Sequence, residues 1–488
     1  MRHLPPPTLP SRDCVSTVPG TVLTTLLALT LCAAGPAQED AQAPVRPNVI
    51  LVMADDLGWG DLGCYGHPDL KTPHLDALAA DGLRFTRFHA AAPVCSPTRA
   101  SCLTGRHPFR AGIRGANSGH LGVDEVTLQG LLGKAGYRTG HFGKWHLGTL
   151  TKTLKESNRG GPRGVAHFAP PWQRGFDVCF STEAKVPTFD PMKSPKGGKP
   201  YGTHYWNQQG ERVTDNLEGD DSRVIMDRVL PFVSDCAAND SPFFAVVWFH
   251  APHLPVVASE ADRKPYAAFD ELTQHYYGCI TALDREVGRL RATLDELGVG
   301  DNTILWFCSD NGPEGKQGKA PGSAGNLRGR KRSLFEGGTR VPGLLSWPKQ
   351  LPKGGVVDTL ACTSDFLPTI ANWLDLALPA ERPLDGINLA PLIGQASISQ
   401  ATAGKQPLRE RPIGFESARL ATWTTDRFKL VAHLDKTPKD FPRATKLQLY
   451  DLIADPAEAN DLSTKQALEA IQLHAALSKW RQSIRKRP

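Results

Sequence analysis

Apolar runs and amphipathic stretches alternate along the chain from about residue 46. The run Asn48–Ala54 (NVILVMA) is almost entirely apolar and rich in β-branched residues, which is typical of a strand buried on both faces. Similar runs lie at 243–249 (FFAVVWF) and 303–308 (TILWFC), and the segment 137–142 is a further strand candidate. Buried strands that alternate with helices predict an α/β fold, in which a large, mostly parallel sheet is sandwiched by helices.

Three helices are predicted between these strands. One begins at Thr72-Pro73, where a capping residue precedes a proline, and it ends at Gly82. A second covers 127–135, and a long third covers about 266–297. After about residue 380 the pattern changes to short strands at 427–432 and 446–452, which predict a short antiparallel sheet.

This change of pattern divides the chain into a large domain at 45–390 and a smaller C-terminal α+β domain at 391–488. The stretches 151–199 and 312–329 are rich in glycine, proline or charge, and both are expected to be loops.

The first 37 residues have the pattern of a signal peptide. The apolar run at 22–32 is too short to span a bilayer, and small residues follow it, with cleavage expected after Ala34 or Ala37. We therefore expect export to a periplasmic, extracellular or lumenal compartment, without stable membrane insertion once residues 1–37 are removed. A lipid anchor on Cys32 is the alternative, and the bulky Leu31 before it counts against that alternative.

Composition excludes several classes of protein. The 488 residues include 56 Lys and Arg against 50 Asp and Glu, and a net charge of +6 without a long basic run argues against nucleic acid as a partner. A hydrophobic fraction of 40% excludes a polytopic membrane protein and a largely disordered chain. The ten cysteines form no CxxC pair, so neither a zinc ribbon nor a small disulfide scaffold fits.

Reactive polar residues follow four of the predicted strands. These residues are Asp55, Asp56, Lys144, His146, His250, His253, Asp310 and Asn311. Because ligand sites of parallel sheets lie at the carboxyl ends of the strands, we expect these four clusters to meet in one crevice.

The acidic clusters indicate a metal site. Asp55, Asp56, Asp310 and Asn311 offer only oxygen ligands, which suit Ca²⁺ or Mg²⁺ better than zinc. A solvated turn, or a helix cap for the residues that follow, is the alternative explanation for the two adjacent aspartates.

Cys95 lies in the segment PVCSPTRASCLTGR, where Pro97 suits the first turn of a helix and Arg99 follows one turn later. A helix N-terminus beside an arginine is electropositive, so we expect a lowered thiol pKa and an anion-binding site. The alternative is that Cys95 packs as a small buried side chain, as we expect for Cys102.

The segment 95–106 matches the pattern C-x-P-x-R-x-x-x-x-T-G-R at every fixed position. Further segments, among them DDLGWGDLGCYG (55–66), GKWHLG (143–148), HAPHLP (250–255), SDNG (309–312) and LYDLIADPAEANDL (449–462), follow in the same order as in one known family. From about residue 46 to 463, the chain resembles the type I formylglycine-dependent sulfatases of the alkaline phosphatase superfamily, close to arylsulfatase A and N-acetylgalactosamine-6-sulfatase.

This resemblance implies a catalytic domain at 45–390 and a chemistry centred on Cys95. In the family, a maturing enzyme converts this cysteine to Cα-formylglycine, whose hydrated aldehyde attacks the sulfur of a sulfate ester. One calcium ion is implied, with position 95 contributing to its site and four further ligands, which are Asp55, Asp56, Asp310 and Asn311.

The resemblance also implies roles for the cationic residues. Arg99 and Lys144 match the residues that hold the diol, and His146 matches the base of the later elimination step. His253 and Lys331 match the cations that bind sulfate and help to protonate the leaving oxygen, and Asp310 is expected to take a proton from the attacking hydroxyl. For His250 two interpretations stay open, a supporting role beside the site or a purely structural one.

One departure from the family pattern concerns Lys331, which has arginines on both sides where glycines are usual. Arg330 and Arg332 are therefore candidates for widening the anionic pocket. Arg340 is expected to form a structural ion pair rather than to bind substrate.

The sequence thus predicts an enzyme that hydrolyses sulfate esters of a carbohydrate. A phosphodiesterase or phosphonate hydrolase of the same superfamily is the alternative, followed by a non-catalytic carbohydrate-binding relative. The charged loops at 151–199 and 312–330 suit a polyanionic glycan, although they equally suit simple solubility.

Overall fold

The computed structural model describes residues 46–156, 159–401, 407–417, 419–435 and 441–485. The predicted signal peptide at 1–37 and Cys32 lie outside these residues. Among the helices of the described residues, none has the length and apolarity needed to cross a membrane.

A nine-stranded sheet forms the centre of the molecule, in the strand order β10-β2-β9-β8-β1-β7-β4-β5-β6. Its strands are β1 (Asn48–Ala54), β2 (Leu83–Phe85), β4 (Arg138–Lys144), β5 (Val178–Thr182), β6 (Trp206–Asn207), β7 (Phe243–Trp248), β8 (Thr303–Ser309), β9 (Gly343–Ser346) and β10 (Gly355–Val357). β3 (Phe88–His89) and β11 (Ala361–Cys362) pair separately.

The core of the sheet is parallel, as the continuous apolar runs predict. β1 lies between β7 and β8 with parallel pairing on both sides, so that Val49 pairs with Phe244 and with Ile304. β4 and β5 extend the parallel part beyond β7, while β9 and β6 pair in the antiparallel direction. All seven residues of β1 are buried, which is why its sequence shows no polar alternation.

Helices cover both faces of this sheet. The helices are α1 (Pro73–Asp81), α2 (Cys95–Thr104), α3 (Leu128–Lys134), α4 (Asp221–Ala238), α5 (Glu260–Arg263), α6 (Glu271–Glu296), α7 (Glu336–Thr339), α8 (Phe366–Trp373), α9 (Ala390–Ala401) and α10 (Ala467–Ser483). α1, α4 and α6 pack through residues such as Leu78 and Leu283 on one face, and α2, α3 and α8 pack through residues such as Leu103 and Ile370 on the other. The predicted sandwich is confirmed.

A smaller antiparallel sheet follows, with β12 (Ile413–Glu416), β13 (Leu420–Thr424), β14 (Phe428–Leu434) and β15 (Ala444–Asp451) in sequence order. α10 packs against it through Leu473 and Leu477. The predicted C-terminal α+β unit is therefore present, while the domain limits 45–390 and 391–488 remain a prediction.

Two predictions of secondary structure were wrong. The stretch 151–199 contains β5, which pairs in parallel with β4, together with two 3₁₀ turns at Pro162–His167 and Pro171–Gln173. The long helix begins at Glu271 and not near residue 266, because the Asp270 side chain caps it by accepting a hydrogen bond from the Thr273 amide at 3.1 Å. The stretch 312–329 is a loop, as predicted.

Candidate active site

The strands β1, β4, β7 and β8 all end at one edge of the large sheet, and the polar clusters that follow them meet there. Asp55 follows β1, Lys144 ends β4, and Asp310 follows β8. The N-terminus of α2 reaches the same place, since the Cys95 thiol donates a hydrogen bond to Asp55 Oδ1 at 3.4 Å. The predicted convergence is thus observed.

Cys95 is the first residue of α2 and is only 2% exposed. Burial raises the pKa of the Cys95 thiol, and the carboxylates of Asp310 and Asp55 raise it further. The expected lowering of this pKa was wrong, because desolvation and two nearby carboxylates outweigh the helix N-terminus and the neighbouring cations.

Arg99 connects three elements beneath this cysteine. Its guanidinium donates to Asp310 Oδ2 at 2.7 Å and 3.1 Å and to the Lys144 carbonyl at 3.0 Å, and it lies 5.0 Å from the centre of the Trp248 ring. Arg99 is fully buried, so α2, β4 and β8 are held together by charge-assisted hydrogen bonds.

The two lysines of the predicted site each bind a different aspartate. Lys144 Nζ pairs with Asp55, and Lys331 Nζ lies 2.6 Å from both carboxylate oxygens of Asp56. Although burial disfavours ionisation, Lys144, His253 and Arg99 hold the pKa of Asp55 well below its usual range. The Asp55 carboxylate is therefore ionised at neutral pH.

The predicted metal ligands form a compact group of oxygen atoms. The Asp56 amide donates to Asp310 Oδ1 at 3.1 Å, and Asn311 Nδ2 donates to Asp56 Oδ1 at 2.7 Å. Burial and the charge of Asp55 raise the pKa of Asp310 to about 7. Asn311 Oδ1 is buried and has no hydrogen-bond partner among the described residues, so a neutral oxygen acceptor is left over beside three carboxylates.

These residues fit a hard cation. Ligand atoms of Asp55, Asp56, Cys95 and His253 all lie within 4.8 Å of one another, and carboxylate and amide oxygens predominate in the wider group. His250 is not available as a metal ligand, because its Nδ1 and Nε2 are engaged with Asp221 Oδ2 at 2.7 Å and Thr182 Oγ1 at 2.8 Å. His250 is completely buried and holds the ends of β5 and β7 together.

His146 lies in a left-handed backbone conformation with φ of 58°. Its Nε2 is 2.9 Å from Asn117 Oδ1, while its Nδ1 is buried without a partner in the described residues. Burial and the charges of Lys144 and Arg159 lower the pKa of His146 well below its usual value. The ring is therefore neutral at pH 7, as a general base must be.

His253 faces the same pocket with its side chain 14% exposed. Its Nε2 lies 3.6 Å from Asp56 Oδ2, and its Nδ1 lies 2.7 Å from the Leu254 carbonyl. Burial lowers the pKa of His253 to about 4. The implied cationic role therefore depends on the negative charge of a bound ester, which would favour the protonated ring.

A cavity of about 680 Å³ opens above these groups. Its lining includes Cys95, Lys144, His146, His253 and Lys331. The structure thus brings five of the predicted residues to one surface, with Arg99, Asp55, Asp56, Asp310 and Asn311 buried behind them.

The arginines around Lys331 behave differently from one another. Arg332 lines the cavity and pairs with Glu314 at 2.6 Å, whereas Arg330 is buried and donates to the Glu314 carbonyl at 2.8 Å. Only Arg332 can widen the anionic pocket. Arg340 donates to the Thr86 carbonyl at 2.7 Å and lies 3.7 Å from Glu336, so it has the structural role expected of it.

Several lining residues could not be identified from the sequence. They are Asn117, Lys155, Lys185 and Glu314, which lie on loops rather than directly after a strand that the sequence predicts. Asn117 has a positive φ of 60° and sits in the glycine-containing segment GANSGH, which is a weak signal for a tight turn beside a site. The eight cysteines in the described part of the chain are all free, and Cys102 is a packing residue as expected.

Known proteins are similar to this chain over most of its length. Residues 47–376 match the sulfatase family, and residues 329–483 match the family described as N-sulphoglucosamine sulphohydrolase, C-terminal. Arylsulfatase A of Homo sapiens is 33% identical over 464 residues, which cover 87% of this chain and 86% of that protein. N-acetylgalactosamine-6-sulfatase of Homo sapiens is 32% identical over 465 residues, covering 87% and 83%.

Solved structures agree with these matches. The crystal structure of Ps i-CgsB in complex with k-i-k-neocarrahexaose superposes with a TM-score of 0.76 at 27% identity, covering 91% of this chain and 94% of that one. The fold and the cation-lined pocket at the carboxyl edge of its sheet define a hydrolase of the alkaline phosphatase superfamily. Within that superfamily, the chain belongs to the sulfatase family and is a sulfuric ester hydrolase, as the sequence resemblance implies.

Proposed function

We propose that this enzyme hydrolyses sulfate esters of a carbohydrate, with formylglycine at position 95 and one bound calcium ion. The observation that carries the proposal is the position of Cys95, which lies at a helix N-terminus between the buried carboxylate of Asp55 and a cavity lined by Lys144 and Lys331.

The chemistry at position 95 needs a group other than a thiol. The raised pKa of Cys95 keeps the side chain protonated at neutral pH, and a protonated thiol is a poor nucleophile. A hydrated formylglycine would supply two hydroxyls on one carbon, of which one can attack sulfur and the other can release sulfate.

The residues that would hold calcium are Asp55 and Asp56, with position 95 beside them, together with Asp310 and Asn311, which are hydrogen-bonded to Asp56. The unpartnered Asn311 Oδ1 supports this proposal, since a cation would satisfy it. Bound calcium would neutralise sulfate oxygens and lower the pKa of a hydroxyl next to it.

The protein's own side chains then have separable tasks. Arg99 and Lys144 fix the end of α2 against β4 and β8, which orients position 95 toward the cavity. Lys331 and His253 face the cavity where a sulfate group would lie, so they can bind its oxygens and donate a proton to the leaving alcohol.

Two other side chains would accept the protons of the two hydroxyls at position 95. His146 is neutral and lines the cavity, which suits the base of the elimination step. Asp310, whose pKa is raised to about 7, would accept a proton from the attacking hydroxyl.

Carbohydrate is the substrate class that the cavity supports. Its rim carries polar and charged side chains such as Lys155, Lys185 and Tyr201, which suit hydroxyl-rich anionic ligands better than apolar ones. Similar proteins include an N-acetylgalactosamine-6-sulfatase and a structure in complex with a neocarrahexaose.

We further propose export through residues 1–37 and conversion of Cys95 by a maturing enzyme.

Peptide mass spectrometry and paired assays test this proposal. After trypsin digestion of protein coproduced with a maturing enzyme, the peptide 88–99 should carry formylglycine at position 95. Aryl sulfate should then be hydrolysed far faster than aryl phosphodiester. Cys95→Ala should lower kcat by at least about a thousandfold.

Cys102→Ala is the matched control, because Cys102 lies in the same helix and only packs. It should retain kcat within a few fold. The proposal fails if protein with an unmodified thiol at position 95 is fully active, or if the phosphodiester is the preferred substrate.

A further inference from the structure

Cationic side chains outnumber acidic ones on the wall of the active-site cavity. The lining contains five Lys and Arg residues and a single carboxylate, Glu314. Three of these cations have carboxylate partners, since Lys144 pairs with Asp55, Lys331 with Asp56, and Arg332 with Glu314. Within the described residues, Lys185 and Lys155 have no ion-pair partner.

Lys185 follows β5 closely in sequence, and hydrogen bonds hold the segment between them in place. β5 ends at Thr182, and the Trp145 and His146 amides donate to the carbonyls of Thr182 and Glu183, both at 2.9 Å. The Thr182 hydroxyl donates to the Ala184 carbonyl at 2.7 Å and fixes the following turn. The segment that carries Lys185 is therefore tied to the backbone of His146.

Burial on either side directs the Lys185 side chain into the cavity. Ala184 is 5% exposed and Val186 is fully buried, whereas Lys185 between them is exposed and lines the cavity. Partial burial lowers the pKa of Lys185, and repulsion by the charges of Lys144 and Lys331 lowers it further, although Asp55 and Asp56 offset part of this effect. An anion bound beside Lys185 would relieve this repulsion.

We infer that Lys185 forms a second anion subsite next to the scissile sulfate, which selects sugars that carry another negatively charged substituent near the ester. The inference rests on the proposed function, because Lys331 and His253 are taken to hold the scissile group. The scissile sulfate monoester brings one negative charge, which leaves Lys185 without a counter-ion. A second sulfate or a carboxylate on the same or the adjacent ring would supply one.

Competitive inhibition of aryl sulfate hydrolysis tests the subsite without knowledge of the natural ester position. Monosulfated N-acetylhexosamines are compared with their disulfated counterparts and with sulfated disaccharides that contain a uronate. Wild-type protein should bind at least one doubly anionic sugar about tenfold more tightly than its monosulfated parent, which corresponds to about 1.4 kcal/mol. The disulfated and uronate arms show whether sulfate or carboxylate is preferred.

Substitution of Lys185 should remove this preference. The measured quantity is the inhibition constant of the monosulfated sugar divided by that of the doubly anionic sugar. In Lys185→Met this ratio should fall about tenfold, while Lys185→Arg should keep it within about threefold of the wild-type value. Lys196→Met is the matched control, since Lys196 is exposed in the same stretch of chain and does not line the cavity. It should leave the ratio unchanged at fixed ionic strength.

The inference is overturned if wild-type protein binds no doubly anionic sugar more tightly, or if Lys185→Met weakens singly and doubly anionic sugars equally. The thermal unfolding temperature and the formylglycine content of each variant show whether it has folded. If Lys185→Met misfolds, the inference is tested by the preference of wild-type protein and by its retention in Lys185→Arg. If wild-type protein with verified formylglycine hydrolyses no aryl sulfate, the proposed function itself fails, and this outcome is distinct from a lost preference.

Discussion

Lys429→Met should strongly destabilise the protein, because Lys429 pairs with two buried acidic side chains, one on α7 and one in the segment after β15. Lys429 is completely buried on β14, and its Nζ lies 2.8 Å from Glu336 Oε1 and 3.1 Å from Glu458 Oε1. Methionine matches the length of lysine but carries no charge. Glu336 would keep His89 at 3.0 Å, whereas Glu458 would lose its cation.

The free energy of unfolding should fall by about 3–5 kcal/mol, because the substitution leaves a carboxylate buried without its cation. The pH dependence has a definite sign. Burial raises the pKa of Glu458 to about 7 even beside Lys429, so the folded protein holds a proton that the unfolded chain releases above its usual value of 4.5. Stability is therefore lost as pH rises through this window, and removal of Lys429 extends the window upward.

Urea unfolding followed by tryptophan fluorescence at about pH 5.5 and about pH 8 measures both effects. The loss in Lys429→Met should be larger at the higher pH, by about 1–2 kcal/mol. Lys446→Met on the neighbouring strand is the matched control, since Lys446 is exposed, and it should change stability by less than about 0.5 kcal/mol. A loss below about 1 kcal/mol, or a larger loss at the lower pH, would refute the reasoning.

Three further outcomes are expected. Arg159→Lys should lower kcat roughly tenfold and shift the pH profile of kcat, because one ammonium cannot replace the guanidinium that donates to the His146 carbonyl at 3.2 Å and to the Gly119 carbonyl at 2.5 Å. Burial lowers the pKa of His107 to about 4, so the wild-type free energy of unfolding should decrease as pH falls below about 6.5. In His107→Gln, urea unfolding should show a smaller decrease between about pH 7 and about pH 5. Chelation of calcium should lower the thermal unfolding temperature, and calcium should restore it while zinc should not; saturation at a hundred times Kd is worth about 2.7 kcal/mol.

Much of the fold could be predicted because burial on both faces leaves a visible mark in the sequence. β1, β7 and β8 are continuous apolar runs, and each was predicted within one residue. β5 escaped detection because its polar residues are buried through hydrogen bonds, as in the 2.7 Å contact between Ser181 Oγ and His141 Nδ1. A strand satisfied by polar partners on neighbouring strands has no apolar signature of its own.

The residues of the candidate site also differ in whether the sequence predicts them. Residues directly after parallel strands, such as Asp55 and Asp310, converge for a topological reason that the sequence order already contains. Asn117 and Lys185 reach the cavity through the paths of loops, which depend on contacts such as the 2.9 Å hydrogen bond from the His146 amide to the Glu183 carbonyl. Such contacts join residues that are distant in sequence, so no local pattern predicts them.

The Cys95 thiol shows why electrostatic reasoning from sequence alone can reverse its sign. A helix N-terminus and Arg99 nearby suggest an activated thiolate, yet Arg99 is committed to Asp310 and the thiol itself faces Asp55. Desolvation and these carboxylates raise the thiol pKa, so the folded site does not favour a free thiolate at position 95. If Cys95 is converted as proposed, its burial to 2% exposure leads us to expect that the converting enzyme acts before α2 packs against β4 and β8.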